Sequence, residues 1–578
     1  MRKKKLLRQV AAAAVALSMA VSLSAPAFAA TFDLSNGGLV ITADGSSITV
    51  TQDNGTTSTY GTDEEIEIKG TYSSANGAMQ TAEENRQDEN QPVTPAKAPA
   101  KAPAKEETPE AEDAPAAEKK QEQKDTEAPA DPEQKTETEN KDKNNDPDNE
   151  EKKEQNAPAN GELNASAGEG QEPKAEDEGQ PKPEAKASAE ATASASDDNG
   201  PRKAPARSSG EGERTSIIQI INNTAKKIKV SLSNAHIDLP TAADTSARGQ
   251  AAIDVQGGDV ELKFSGSNTL TGSGGSAGIQ KNDKTQDGKD NTGTLTITAD
   301  NKSDTLDVKV DEFSLGQDNQ GAAIGGGGRK TDGKYGGYGT KNIVIEGNGT
   351  VNTNAQIGSG FRGGAATGIV IQGNAVVNVG DGGIGGIGLP EWYGTEKPGE
   401  TDVTITGNAN VTVKNGTIGS GVRRGEVCGN AKIEISENAV VNVEGGDNAA
   451  AIGSGAGGDA NVTITGNAKV TAVQKSDWYG GGAGIGGGAN GKGHVTIGGK
   501  AQVKATGSAE HYDQYHSYGA GAAIGDGGTT AGSSGTVQNG ENKFTTDKKS
   551  IQDDAKVEMT NIGHNGGSDT VTKTYKTG

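Results

Sequence analysis

The side chains best suited to chemistry in this 578-residue chain are arginines and tryptophans that recur beside glycine-rich turns. Arg329 follows Ile324 by five positions, Arg362 follows Ile357 by five, and Arg423 follows Ile418 by five, with Arg424 beside it. Counted the same way from Ile387, the equivalent position is Trp392, with Tyr393 next. A guanidinium presents a planar fork of donors that matches a carboxylate, and an indole offers its face to the apolar side of a sugar ring. If the turns stack, these side chains form a stripe suited to uronate-type sugars. The plainer account is that the arginines pair with nearby carboxylates or keep a glycine corner soluble. Register decides between stripes: GIGGIG also holds Ile384, and counting from it brings in Leu389 instead of Trp392.

Further candidates are weaker. Trp478 and Tyr479 precede their corner, whereas Trp392 and Tyr393 follow theirs, so the two pairs do not share a ladder. Tyr512, Tyr515 and Tyr518 in HYDQYHSYG are either a sugar platform or packing over an edge. Asp318, Asp381 and Asp447 stand just before corners, where carboxylates beside turn carbonyls could hold Ca²⁺, a hard ion that takes six to eight oxygens. His511, His516 and Asp513 lack a regular ligand spacing and read as loop. GxGxxG matches are inevitable with 87 glycines, and none is followed by Lys-Ser/Thr opening a helix. No nucleophile triad is visible, and the acidic balance disfavours nucleic acid.

The elements that must position these residues repeat. VTITGNANVTVKNGTIGSG at Val403–Gly421 recurs as IVIEGNGTV at Ile343, IVIQGNAVV at Ile369, IEISENAVV at Ile433, VTITGNAKV at Val462 and VTIGGKAQV at Val495. Including Val403, the starts are 26, 34, 30, 29 and 33 residues apart (369−343, 403−369, 433−403, 462−433, 495−462). A period near 30 with two alternating β-branched pieces signals a solenoid, and the expected fold is all-β, a parallel β-helix. One unit is too small and glycine-rich to bury a face alone, so it must stack. Stacking would place Ile324, Ile357, Ile387, Ile418, Ile452, Ile485 and Ile524 in an inner apolar ladder. Asn348, Asn374, Asn408, Asn438 and Asn467 would form an amide ladder in the turn.

Around this repeat the chain changes character. Residues 1–29 read as an export signal, with basic MRKKKLLR, an apolar core and Ala27-Phe28-Ala29 for cleavage. No later apolar run is long enough to span a membrane. Residues 30–79 alternate with Asn-Gly and Asp-Gly turns, predicting a β segment that either caps the helix or stands as a separate module. Residues 80–214, rich in Glu, Lys, Ala, Pro and Gln, form an acidic linker or insertion expected to stay disordered, and much of the net charge of −23 sits there. The β-helix is expected over 215–533, and 534–578 as a cap or the start of further rungs. With two Trp, ten Tyr and six Phe, a conventional core is not available. The single Cys428 excludes an internal disulfide framework.

AAIDVQGGDVELKFSGSNTLTGSGGSAGI, followed by repeated AAIGGGG and VTITGNAxV, resembles the secreted carbohydrate-binding β-helix family of Gram-positive bacteria. That resemblance covers about residues 31–74 and 215–528. It implies a non-catalytic, secreted or cell-surface protein that binds acidic polysaccharide, with Ca²⁺ as an associated ion. Two alternatives remain: a polysaccharide lyase, which would need a basic residue beside a carboxylate cluster, or a structural stalk or adhesin. No unit breaks the repeat with the dense charge a catalytic centre requires, so binding without cleavage is the expectation.

Overall fold

The computed structural model describes residues 30–73, 216–239, 249–311, 320–328, 337–388, 399–421, 428–446, 449–475, 481–512, 516–532, 537–546, 554–562 and 568–576. These form a parallel β-helix with three strands to a coil. The first face stacks Thr340–Gly347, Ala366–Ile371, Thr401–Ile405, Ala431–Ile435, Ala460–Ile464 and Gly493–Ile497, all parallel. Ile343, Ile369, Val403, Ile433, Val462 and Val495 are register partners. The alternation read in the sequence therefore repeats in space. The second face stacks Thr350–Thr353, Val376–Val379, Asn410–Val413, Val440–Gly445, Lys469–Gln474 and Gln502–Thr506, with Val351, Val377, Val411, Val441, Val470 and Val503 aligned inside. Side chains of a strand alternate between faces, so every second residue enters one continuous core.

The third face is the isoleucine corner. Leu39, Ile218, Ile253, Ile279, Ile324, Ile357, Ile384, Ile418, Ile452, Ile485 and Ile524 form one unbroken ladder. Two points correct the sequence reading. The ladder begins earlier than Ile324, and its member in GIGGIG is Ile384. Ile387 instead bridges to Gly364 and Gly421 outside the ladder. The choice follows from the backbone: Gly385, after Ile384, has φ 146°, like Gly358 at 151° and Gly419 at 139° after their own isoleucines.

Those glycines are required by close approach. A Cβ on Gly358 would lie 1.9 Å from the Gly385 carbonyl oxygen, one on Gly385 1.9 Å from that of Gly419, and one on Gly419 1.7 Å from that of Gly453. No side chain fits there, and positive φ excludes most residues independently. The turn joining the two long faces carries the predicted amide ladder. Asn374 donates to Asn348 at 2.8 Å, Asn408 to Asn374 at 2.9 Å, Asn438 to Asn408 at 3.0 Å and Asn467 to Asn438 at 3.0 Å. Asn348 ends the run on the Asp300 carbonyl at 2.7 Å.

The amino-terminal segment is built into the stack. Glu65–Ser73 pairs in parallel with Ala30–Asp33 and with Ile228–Asp238, and Leu39–Asp44 pairs in parallel with Ser216–Asn222. Leu39–Asp44 then turns antiparallel through Ser47–Gln52 to Thr57–Gly61. At the other end Asp554–Ile562 continues the second face in parallel with Gln502–Thr506, and Ser568–Lys576 folds back on it antiparallel. Both ends thus leave the parallel repeat through antiparallel strands, which blunts open-ended stacking. The predicted signal (1–29) and acidic insertion (80–214) lie outside the described residues.

Candidate functional site

Of the predicted stripe, the described residues include Arg362. It sits just past the Ile357 corner with φ 55°, only 8 % exposed. Its guanidinium carbon lies 4.8 Å from the centre of the buried Phe361 ring, a cation–π contact. The side chain is packed into the corner and does not stand out from it. Arg329, Trp392, Tyr393, Arg423, Arg424, Trp478 and Tyr479 lie outside the described residues. The register nevertheless bears on them. With Ile384 in the ladder, the residue five positions past the corner isoleucine in the sequence is Leu389 and not Trp392.

Around the corner, serines tie one coil to the next. Ser359 Oγ accepts from the Ile387 amide at 2.8 Å, and Ser420 Oγ donates to the Gly429 carbonyl at 2.6 Å while accepting from the Gly455 amide at 3.1 Å. Cys428 is buried, its thiol 3.1 Å from the Gly421 carbonyl, in keeping with a small side chain packed in a rung. Of the predicted calcium carboxylates, Asp381 accepts from Asn415 Nδ2 at 2.8 Å, one link of a turn column. Asp318 and Asp447 lie outside the described residues. Among the described residues no three Asp, Glu, His or Cys side chains converge as a metal ligand set.

Sequence reasoning missed a buried polar cluster in the early coils. Gln219, Asp254 and Gln280 are register partners, and the next residue in that column is Gly325 of the glycine corner. Asp254 is buried; it accepts from Gln256 at 2.6 Å and Gln280 at 3.3 Å. Burial raises its carboxyl pKa, against the hydrogen bonds from Gln256, Gln280, Gln219 and Gln286. Next in the chain, Lys281 is also buried and donates to the Asn291 carbonyl at 3.1 Å. Burial, and then the charge of Lys341, lower its pKa to about 8. The signal in the sequence was a break in pattern: AAIDVQGG places Asp where later corners have glycine.

The second face offers an outward column at one residue per coil: Asp307, Asn352, Asn378, Thr412, Asn442, Thr471, Lys504 and Glu558. Asn378 donates to Asn352 at 2.9 Å and Asn352 to Asp307 at 2.7 Å, which fixes the first amides in plane. The adjacent column ends in Val440, Lys469, Gln502 and Lys556. Lys504 pairs with Glu558 at 3.2 Å, whereas Lys469 and Lys556 have no ion pair among the described residues.

Near the carboxyl-terminal coil, His511–Tyr512, His516–Tyr518 and Thr530–Gly532 make a small antiparallel sheet beside the helix. Its two described tyrosines part company. Tyr518 is buried, its ring 6.2 Å from that of His511, while Tyr512 is 51 % exposed. Local desolvation and then the Glu510 carboxylate raise the Tyr512 phenol pKa. No helix among the described residues is long and apolar enough to cross a membrane. Compared with family models, curated proteins and solved structures, the chain matches none.

Proposed function

We propose that this is a secreted or cell-surface protein that binds polysaccharide, preferentially anionic, along the second face of its β-helix without cleaving it. The observation that carries this reading is the outward column from Asp307 to Glu558, which repeats a polar side chain once per coil along one parallel sheet. A coil step of about 4.8 Å is close to the length of one sugar ring, so a chain lying along the axis meets an equivalent contact at each residue. Each contact is weak; together they add through effective concentration. Lys469 and Lys556, which have no ion pair among the described residues, supply the preference for carboxylates at one end of the face. Arg329 and Arg423, each five positions past its corner isoleucine in the sequence, extend the same proposal to a second contact line, and Ca²⁺ enters only as an ion bridging carboxylates of protein and sugar.

The test is affinity electrophoresis of the full chain in gels containing polygalacturonate, neutral glucan or no polymer, with and without Ca²⁺. Retardation in polygalacturonate, reduced about tenfold in affinity by Lys469→Ala with Lys556→Ala, is expected from the loss of two charge contacts. Unsaturated, ultraviolet-absorbing products would instead establish a lyase. Equal mobility in all gels would leave a stalk or adhesin.

A further inference from the structure

The Tyr512 sheet carries a feature that the anionic face does not explain. Among the described residues, Tyr512 is the one exposed large apolar side chain. Its surroundings hold it there. Tyr512 pairs across the sheet with Ser517, and Ser517 with Ala531, so the row beside the ring is made of small residues. Tyr518 and His511 occupy the other side of the same strands.

The polar groups at the ring edge are fixed as well. Tyr512 Oη donates to Glu510 Oε2 at 3.3 Å, and Asn539 Nδ2 donates to Glu510 Oε1 at 2.7 Å. Asn539 is itself anchored, its Oδ1 accepting from the Ala520 amide at 2.9 Å. One aromatic face with a fixed carboxylate and a fixed amide at its rim is an arrangement suited to a pyranose. The C–H face of the sugar covers the ring, and its hydroxyls donate to the carboxylate, a charge-assisted bond. The same carboxylate repels a uronate.

We infer that Tyr512, Glu510 and Asn539 form a separate subsite for a neutral hexose unit, stacked on the Tyr512 ring. The inference rests on the reading of the protein as a polysaccharide binder, but it assigns a different place and the opposite charge preference. A polymer with both neutral and acidic segments would be held at two points.

The full chain is run through gels of neutral β-glucan and, separately, polygalacturonate, as wild type, Tyr512→Ala, Tyr512→Phe and Glu510→Gln, each first shown by circular dichroism to melt as the wild type does. The expected result is retardation of the wild type in glucan, weakened about fivefold by Tyr512→Ala, the worth of one stacking contact of ~1 kcal/mol. Tyr512→Phe should retain most of it, and Glu510→Gln should admit uronate at this subsite. Undiminished retardation of Tyr512→Ala in glucan overturns the subsite. So does a wild type that glucan does not retard, which would give the ring to a protein partner. Because polygalacturonate retention depends on Lys469 and Lys556, either result leaves the anionic-face reading to stand or fall on its own gel.

Discussion

The early and late coils of this helix meet the same packing problem at the corner in two ways. From Gly325 onward the residue after each corner isoleucine is glycine, and adjacent backbones approach so closely that a Cβ on Gly419 would lie 1.7 Å from a carbonyl oxygen. In the earlier coils the same column is Gln219, Asp254 and Gln280, joined by side-chain hydrogen bonds. A solenoid can thus close its corner by removing side chains or by pairing them. The first solution repeats from coil to coil; the second buries an ionisable group, Asp254.

The largest expected effect breaks the late solution. Gly419→Ala forces a Cβ into the Gly453 carbonyl at a φ that alanine disfavours, and should destabilise by roughly 3–5 kcal/mol. Because each coil contacts only its neighbours, thermal denaturation should split into separate transitions on either side of the lesion. A single transition at the wild-type temperature would show that the glycine ladder does not set the spacing.

The next prediction concerns the buried lysine that follows the early column in the chain. A lysine whose folded pKa is lowered binds fewer protons when folded than when unfolded between the two values, so stability rises with pH across that window. For Lys281, with a folded value of about 8 against 10.5, the rise falls between about pH 8 and 10.5. It amounts to on the order of 3 kcal/mol. Lys281→Met should flatten that stretch of the urea-denaturation profile and raise stability at neutral pH. An unaltered profile would place the pH response elsewhere.

Two smaller effects sharpen the comparison within the late coils. Asn408→Ala removes two links of the amide ladder, to Asn374 and from Asn438, and should cost about 1–2 kcal/mol, measurable by chemical denaturation. Glu437 holds φ 57° where Gly407 and Gly466 occupy the equivalent turn. Glu437→Gly relieves left-handed strain and should add about 0.5–1 kcal/mol. A loss instead would mean that the Glu437 side chain contributes more to the turn than its backbone costs.

The sequence by itself determined the β-helix, its period, the amide ladder and the need for glycine at the corner. Each of these is written in local alternation repeated at one spacing, and repetition converts a local pattern into stacking. What only the tertiary structure decided was register and burial. Ile384 and Ile387 are indistinguishable in GIGGIG; the pairing of Ile384 with Ile357 and Ile418 separated them. Arg362 looked exposed because arginine usually is, yet the corner folds it over Phe361. Asp254 showed only as a break in the corner pattern and Lys281 not at all, since their environment is made by coils before and after them. The pairing of Ile66 with Val230 across the long acidic insertion was equally illegible, because hydrogen bonds between parallel strands depend on where the chain returns and not on how many residues intervene.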